Sequence, residues 1–427
     1  MARPPLESWV HCRSSSASPG FIAGPLRSRP MPTQPVILAA KRTPIGKFFG
    51  GLARVPSPVL GSYALSALFH EHPALGNEAR NGNVDDVIMG CVLQAGLGQN
   101  PARQAALKAG CPDSQSALTV NKVCGSGLQA VMLAAQAVKS GDAGLVLAGG
   151  FENMTAAPHF SRLRDGVKFG PATFEDHMQF DGLRCAFECW GMTNAADHIA
   201  RKHAVSREDM DRFSAQSHQR AADAAKAGFF KREIVPLSPE QCLDKKSPGV
   251  AADEGIRPES TADALARLRP VPGHEFITAG NASQISDGAA ALAVASLDRA
   301  EKLGIKPLAR ILASHTSGVA PKDIFEAPIS GIKGALDKAG LSVKDIDLFE
   351  INEAFAAQVL CNIKPLGIDE NRLNIAGGGI ALGHPIGGSG ARVLTTLIHH
   401  LHRTGARRGV AALCLGGGNS VAMVIEA

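Results

Sequence analysis

Short apolar runs, each long enough for one β-strand, alternate along the first part of the chain with amphipathic segments of helical period. The strand-like runs are Pro35–Ala40, Val84–Val92 and Gly144–Gly150. The helical segments are Leu60–Phe69, Ala102–Gly110 and a stretch from Gly125 to about Ser140. Because strands that alternate with helices are typical of α/β proteins, we predict an α/β fold with a mainly parallel sheet.

The pattern changes between Glu152 and about Phe276. Charged residues become frequent, apolar runs become shorter, and helical stretches such as Arg207–Gly228 dominate. We interpret residues 152–276 as an inserted, mostly helical domain that lies over the sheet. Strand-like sequence then returns at Ile277–Ser283 and Ala289–Ala295.

Three markers of the first half recur, in the same order and at similar spacing, in the second half. The pairs are Asp86–Cys91 with Asp347–Asn352, Cys124–Gly127 with Gly387–Gly390, and Val146–Gly150 with Ala411–Gly417. Such a repeat predicts a duplication, with one domain at 35–300, which carries the insert, and another at 301–427. Two like domains packed together create a seam, where ligand sites are common.

The first 34 residues differ from the rest in composition. They are rich in Arg, Ser and Pro, and Glu7 is their one acidic residue. An Arg- and Ser-rich, acid-poor start is typical of an organellar transit peptide, but the prolines disfavour an amphipathic helix and Met31 offers a second start. We therefore expect a disordered extension or a targeting segment, with the cytoplasm as the compartment, or the mitochondrion if the segment is a transit peptide.

The composition of the chain argues against several classes of function. The chain has 427 residues, 45% of them hydrophobic, and a net charge of +5, which fits a globular protein of two or three domains. No basic run interleaved with aromatics indicates nucleic-acid binding, and no apolar stretch of about 18 residues indicates a membrane span. The nine cysteines are scattered, which indicates reduced thiols. Cys185, Cys189 and His198 lack the paired spacing of a zinc site, so we expect no metal.

The segment Asn121–Ala130 places Cys124 in a tight glycine turn before a helix. The unpaired N–H groups and the dipole at a helix N-terminus favour an anion, so we expect this position to lower the pKa of the Cys124 thiol. From this segment alone, a reactive thiol and a buried structural cysteine both remain open.

The second half supplies partners for this thiol. His384 stands in a glycine-rich loop before a helix, at the place that corresponds to Cys124, and is a candidate to take the thiol proton. Cys414 ends a strand-like run just before Gly416–Gly418, so it is either a core cysteine or a site residue. Asn352 either caps a helix or holds a water or an oxyanion.

A dehydrogenase is the alternative from another class. Gly125–Ala130 fits a G-x-G-x-x-A dinucleotide fingerprint, and Glu152 stands roughly where a ribose-binding acid is expected. That fingerprint requires a strong strand directly before it, whereas Asn121 and Lys122 interrupt the preceding run.

Taken together, the motifs resemble those of the thiolases. The resemblance runs from about Val36 to Glu426 and rests on Asn121–Gly127, Asn352–Phe355, Gly379–Gly390 and Cys414–Gly418. It implies a duplicated α/β/α/β/α layered fold with an inserted loop domain. It also implies a reversible Claisen condensation, with acetyl-CoA, acetoacetyl-CoA and CoA as reactants and no cofactor. Broader-chain thiolysis of 3-ketoacyl-CoA is the alternative within the family.

The same resemblance implies a role for each site residue. Cys124 would carry the acyl group, and His384 would take the Cys124 proton and form one oxyanion hole with a water held by Asn352. Cys414 would remove the α-proton of the second acetyl-CoA. The N–H groups of Cys124 and Gly416 would form the second oxyanion hole.

The resemblance also implies how coenzyme A is held. Arg257 would lie along the adenine and Ser283 would bond the pantetheine. The chain has Cys189-Trp190-Gly191 where the family commonly has His-Met-Gly, and Ala264 where it has a serine. These departures bear on acyl-chain preference and on CoA affinity. A homotetramer or homodimer is expected from the family.

Overall fold

The computed structural model describes residues 33–164, 166–244 and 247–427. The predicted extension at 1–34 therefore lies outside the described residues, except for its last two. These described residues form twelve strands and twelve α-helices, with a π-helix at Met178–Leu183 and short 3₁₀ turns.

The strands form one large sheet and one small two-stranded ribbon. They are β1 Pro35–Arg42, β2 Gly46–Lys47, β3 Asp86–Gly90, β4 Ala117–Val120, β5 Leu145–Asn153, β6 His159–Phe160, β7 Glu175–Asp176, β8 Ser286–Ser296, β9 Ala309–Gly318, β10 Leu348–Ile351, β11 Arg408–Leu415 and β12 Asn419–Glu426.

The helices cover the sheet and build most of the insert. They are α1 Ser57–Glu71, α2 Pro73–Arg80, α3 Pro101–Lys108, α4 Ser126–Ser140, α5 Met192–Lys202, α6 Arg207–Lys226, α7 Ala262–Ala266, α8 Leu297–Leu303, α9 Ala327–Ala339, α10 Ala356–Leu366, α11 Gly379–Leu382 and α12 Ser389–Thr404. No helix among the described residues is long and apolar enough to cross a membrane.

The ten-stranded sheet is mixed, so the prediction of a mainly parallel sheet is wrong. Only β3 with β4, β3 with β5, and β10 with β11 are parallel among its described pairs. An antiparallel pair can form where the connection between two strands is too short for the crossover of a parallel pair. For example, the three-residue turn Gly416–Gly418 joins β11 to β12, and a parallel pair would require a crossover of a dozen or more residues.

The strand order confirms the predicted duplication. Across the sheet it runs β10-β11-β12-β9-β1-β8-β5-β3-β4. The order β3-β5-β8-β1 in the first half is therefore repeated as β10-β11-β12-β9 in the second, and the halves meet where Val36 and Ile37 pair with Arg310 and Ala309. In each half, two parallel strands are followed by two antiparallel ones, and the first half has the parallel edge strand β4 in addition.

The strands alternate their side chains between two apolar layers, as the two-residue period requires. In β5, Leu145 and Leu147 pack with α1 and α3 on the outside, whereas Val146 and Ala148 pack with α4 and α12 in the middle of the molecule. In β11, Cys414 belongs to the outer layer of the second half. The result is the layered fold that the resemblance implies, with α4 and α12 as its central layer.

Glycines allow the two central helices to touch at their first turns. A Cβ atom on Gly127 would lie 2.8 Å from the backbone nitrogen of Ala391, and one on Gly390 would lie 2.3 Å from that of Leu128. No side chain fits at either position. This close approach brings the loop before α4, which carries Cys124, beside the loop before α12, which carries His384.

The insert has mainly helical regular structure, in α5, α6 and α7, with the small ribbon β6–β7. The strand expected at Ile277–Ser283 is absent from the described structure. In its place is a turn, in which the Asn281 side chain accepts from the Thr278 N–H and the Thr278 hydroxyl accepts from the Gly280 N–H. These short-range bonds satisfy the backbone that a strand would have paired.

Candidate active site

A cavity of about 250 Å³ lies at the seam between the two halves. Five of the residues predicted from the sequence line it: Cys124, Ser283, His384, Cys414 and Gly416. The rest of the lining is largely apolar and comes from the insert and from the two domains, including Met154, Leu183, Met192, Phe325 and Phe355. The cavity therefore combines two thiols, an imidazole and backbone N–H groups with an apolar wall.

The turn that carries Cys124 is tightly built. Val123 has a φ of +47°, a left-handed conformation that is costly for a β-branched residue. The Ser126 hydroxyl donates to the Val123 carbonyl at 2.6 Å and accepts from the Lys122 N–H at 2.8 Å. These bonds hold the strained turn and fix the direction of the Cys124 side chain.

The thiol of Cys124 does not have the low pKa that we expected. Burial raises the pKa of Cys124 to about 11, although the N–H groups of Gly416 and of Cys124 itself lower it. The buried carboxyl group of Glu152 adds a further increase in the pKa. Desolvation outweighs the two N–H groups, so the free thiol is protonated at neutral pH.

His384 is held by its backbone and by its ring. Its N–H donates to the Gln284 carbonyl at 3.1 Å and to the Ser286 hydroxyl at 3.2 Å. Its Nδ1 lies 2.6 Å from the Ser389 hydroxyl. Burial, with help from the positive charge of Arg392, lowers the pKa of His384 to about 3. The imidazole of the free protein is therefore neutral at pH 7, and one of its ring nitrogens can accept a proton.

Asn352 lies behind His384, and it does not cap a helix as one interpretation held. The helix α10 begins at Ala356, four residues later, and it has no side-chain cap. The amide nitrogen of Asn352 is 3.4 Å from Nδ1 and 3.5 Å from Nε2 of His384. Its Oδ1 is buried without a hydrogen-bond partner among the described residues. The side chain is thus directed at the site.

Cys414 is the last but one residue of β11 and pairs there with Ser420 of β12. Burial raises the pKa of Cys414 well above its usual value, and the proximity of Cys124 raises it further. The glycine turn after β11 has φ values of +83° at Gly417 and +85° at Gly418. These left-handed positions favour glycine and turn the chain back, so that the Gly416 N–H faces the Cys124 sulfur.

Ser283 and Arg257 occupy different positions relative to the cavity. Ser283 lines it and donates its N–H to the Ala354 carbonyl at 2.9 Å. Arg257 is exposed outside the lining, and its guanidinium donates to the side chain of Gln284, a lining residue, at 3.3 Å. Arg257 therefore lies at the rim.

The positions that depart from the family pattern are also spread out. Gly191 lines the cavity, whereas Cys189 is exposed. Trp190 is partly buried, with its ring 6.0 Å from that of His198. Ala264 is exposed in α7, away from the cavity lining.

Sequence reasoning missed two residues of the site. Gln284 donates its side-chain amide to the carbonyls of Gly255, Ile380 and Ala381, and so joins the insert to the loop that carries His384. Ser389 contacts the His384 ring. Its place in the Gly388-Ser389-Gly390 run, which matches Gly125-Ser126-Gly127, was the signal that could have pointed to it.

Glu152 has a different place from the one that a ribose-binding acid requires. It is fully buried, and its carboxyl group accepts from the N–H groups of Val92, Leu93 and Gly387 at 3.0 to 3.1 Å. It therefore ties the loop after β3 to the loop after His384, and the dinucleotide interpretation is wrong. Among the described residues, no group of three or more His, Cys, Asp and Glu side chains is placed to hold a metal ion.

Comparison with models of known protein families identifies the family of this chain. Residues 35–298 match the model of the thiolase N-terminal domain, and residues 305–427 match that of the thiolase C-terminal domain. The chain belongs to the thiolase family. This thiolase is an acyltransferase, as the motifs indicated.

Two curated thiolases show the extent of the similarity. The chain is 49% identical over 394 residues to the acetyl-CoA acetyltransferase of Chromobacterium violaceum, covering 91% of this chain and 98% of that protein. It is 45% identical over 396 residues to the cytosolic acetyl-CoA acetyltransferase of Mus musculus, covering 92% and 98%.

Solved structures of thiolases have the same fold. The crystal structure of the Bacillus anthracis acetyl-CoA acetyltransferase superposes with a TM-score of 0.87 at 37% identity, over 93% of this chain and 99% of that one. The human mitochondrial 3-ketoacyl-CoA thiolase in complex with CoA gives the same TM-score at 38% identity, over 92% and 98%.

Proposed function

We propose that this thiolase is an acetyl-CoA C-acetyltransferase, which condenses two acetyl-CoA molecules to acetoacetyl-CoA and CoA. The observation that supports this most is the presence of Cys124, His384 and Cys414 in one cavity. The cavity of about 250 Å³ has room for an acyl group beside these three side chains. The curated relatives named acetyl-CoA acetyltransferase are similar over almost the whole chain.

In the first half-reaction, Cys124 takes the acetyl group. His384 accepts the Cys124 proton, because its imidazole is neutral, and the sulfur attacks the thioester carbonyl. The CoA thiolate leaves and takes a proton from Cys414, whose raised pKa keeps it protonated in the free enzyme. This leaves an acetyl group on Cys124, an imidazolium at His384 and a thiolate at Cys414.

In the second half-reaction, the carbon–carbon bond forms. The Cys414 thiolate removes an α-proton from a second acetyl-CoA, and the resulting enolate attacks the acetyl carbonyl on Cys124. The Cys124 thiolate then leaves and takes the proton back from His384, so the enzyme returns to its first state. The Cys124 and Gly416 N–H groups would bind the oxyanion of the acyl-enzyme, and His384 with a water on Asn352 would bind the other.

We also propose that the insert holds coenzyme A. Ser283 would bond the pantetheine in the cavity, and Arg257 would lie along the adenine at the rim. The bond from Arg257 to Gln284 supports this arrangement, because it joins the rim to the cavity wall. The reaction uses side chains and backbone N–H groups throughout, so we propose that it needs no cofactor beyond its CoA thioester substrates.

The compartment and the assembly complete the proposal. We propose a cytoplasmic enzyme, which the name of the cytosolic mouse relative supports. We propose a homotetramer or homodimer because large apolar side chains of the insert are exposed, among them Phe169, Phe174 and Phe187. Sedimentation of the purified protein measures the assembly, and fractionation of the source cells measures the compartment.

The competing function is thiolysis of longer 3-ketoacyl-CoA chains, which the likeness to the human mitochondrial enzyme favours. Thiolysis of a series of 3-ketoacyl-CoA substrates from C4 to C16 separates the two. We expect the highest kcat/KM at C4 and a steep fall with length. A kcat/KM that is higher for long chains would contradict the short-chain assignment.

A further inference from the structure

The Ser389 hydroxyl contacts both the Pro385 carbonyl and the His384 ring. Its Oγ lies 2.8 Å from the Pro385 carbonyl oxygen and 2.6 Å from Nδ1 of His384. The Pro385 carbonyl oxygen only accepts, and it also accepts from the N–H groups of Gly388 at 2.9 Å and Ser389 at 2.8 Å. When the hydroxyl hydrogen of Ser389 goes to Pro385 as well, the same hydroxyl oxygen accepts from His384, and Nδ1 carries the ring hydrogen.

The other ring nitrogen is then the basic one. The one hydrogen-bond neighbour of Nε2 among the described residues is the Asn352 amide nitrogen, at a long distance. The Asn352 amide nitrogen is at nearly equal distances, 3.4 and 3.5 Å, from Nδ1 and Nε2, which places it beside the ring rather than on either lone pair. His384 lines the cavity together with Cys124.

The position of Ser389 is rigid. The residue is completely buried at the first position of α12, and the His384 N–H is held separately by Gln284 and Ser286. In the first half of the chain, the hydroxyl of the corresponding Ser126 bonds to the backbone of its own turn, at Lys122 and Val123. The second half thus uses the same serine position for a different purpose, which is contact with an imidazole.

We propose that Ser389 is a positioning residue for the acyl transfer, because it fixes His384 in the tautomer with hydrogen on Nδ1 and leaves Nε2 free to take the Cys124 proton. This inference rests on the proposed function. Ser389 acts through His384 and does not itself touch the substrate. Without the hydroxyl, the ring can adopt the other tautomer, in which Nε2 is a donor and cannot serve as the base.

The direct test is ¹⁵N NMR of the full-length protein labelled at histidine, with the His384 signals assigned from their loss in His384→Asn. We expect a protonated Nδ1 and an unprotonated Nε2 in the wild type from pH 6 to 8. A wild-type His384 with hydrogen on Nε2, or one that is an imidazolium at pH 7, would overturn the proposal. This readout does not depend on any activity, so its failure is distinct from failure of the proposed function, which appears as absent thiolysis.

Kinetics of Ser389→Ala give the second arm. General bases contribute about 10²- to 10⁴-fold in rate, so we expect kcat for acetoacetyl-CoA thiolysis to fall roughly 10- to 100-fold with little change in KM. Ser389→Thr, which keeps the hydroxyl, should recover most of the kcat and the wild-type NMR pattern. An unchanged tautomer and an unchanged kcat in Ser389→Ala would contradict the positioning role.

Ser214→Ala is the matched control. Ser214 is also completely buried in a helix, and its hydroxyl donates to the carbonyl four residues earlier, that of Met210, as Ser389 does to Pro385. It makes no side-chain hydrogen bond to a histidine among the described residues. We expect Ser214→Ala to leave kcat and the His384 signals as in the wild type. If it lowered kcat as much as Ser389→Ala does, the effect would be one of packing alone.

Discussion

At the residue scale, the chemistry depends on groups that burial keeps neutral. The thiols of Cys124 and Cys414 have raised pKa values and the imidazole of His384 a lowered one, so the resting site holds no charge on these three groups. The sequence predicted which residues meet, but it predicted a lowered pKa for Cys124. The difference arises because desolvation depends on the whole fold, whereas a helix start is visible locally.

Cys414→Ala separates the two half-reactions. The variant should still accept an acetyl group on Cys124, because His384 takes that proton. It should not exchange the α-protons of acetyl-CoA with deuterium from the solvent, since the base for this step is absent. NMR of acetyl-CoA incubated in heavy water measures the exchange, with the wild type as positive control. Exchange at the wild-type rate would show that Cys414 is not the base.

At the element scale, the site depends on the contact between the first turns of α4 and α12. The glycine runs before both helices were visible in the sequence, and so was their correspondence in the two halves. What the sequence did not show was the direction of the strands between them. The antiparallel pairing of β8 follows from tertiary packing, and Ile277–Ser283 has strand-like composition but forms a turn through Thr278 and Asn281.

Gly390→Ala tests the helix contact. Alanine normally stabilises a helix by about 1 kcal/mol relative to glycine. Here its Cβ would lie 2.3 Å from the Leu128 backbone nitrogen, and such overpacking costs about 1–3 kcal/mol. We expect the overlap to dominate, so that urea denaturation gives a lower free energy of unfolding and kcat falls as the Cys124 and His384 loops separate.

Gly144→Ala is the control for this substitution. The nearest atom to its Cβ would be the Asp85 Oδ2 at 3.8 Å, an ordinary contact. We expect a free energy of unfolding close to that of the wild type and unchanged kcat. Equal free energies of unfolding for Gly390→Ala and Gly144→Ala would show that the contact between α4 and α12 accommodates an extra methyl group without cost.

At the scale of the whole molecule, buried histidines make stability depend on pH. Burial lowers the pKa of His218 and of His400 to about 4. Around His400, Glu233 raises the pKa, whereas Arg403, His399 and Arg42 lower it. Since the unfolded chain binds these protons near pH 6.5 and the folded chain only near pH 4, stability is lost as the pH falls below about 6.5.

His400→Gln isolates one of these contributions. Between pH 7.5 and pH 5, the wild type should lose about 2 kcal/mol of unfolding free energy through His400 alone, and the variant should lose correspondingly less. Urea denaturation at both pH values and one protein concentration measures the difference. Parallel losses in wild type and variant would mean that His400 is protonated in the folded protein.

The most direct test of the account is the mass of the protein after brief exposure to acetyl-CoA. The central claim is that the seam between the duplicated halves makes Cys124 an acyl carrier. We predict one added acetyl group, located on the peptide that contains Cys124, in the wild type and in Cys414→Ala, and none in Cys124→Ala. An acetyl group on another residue, or the same modification in Cys124→Ala, would contradict the claim.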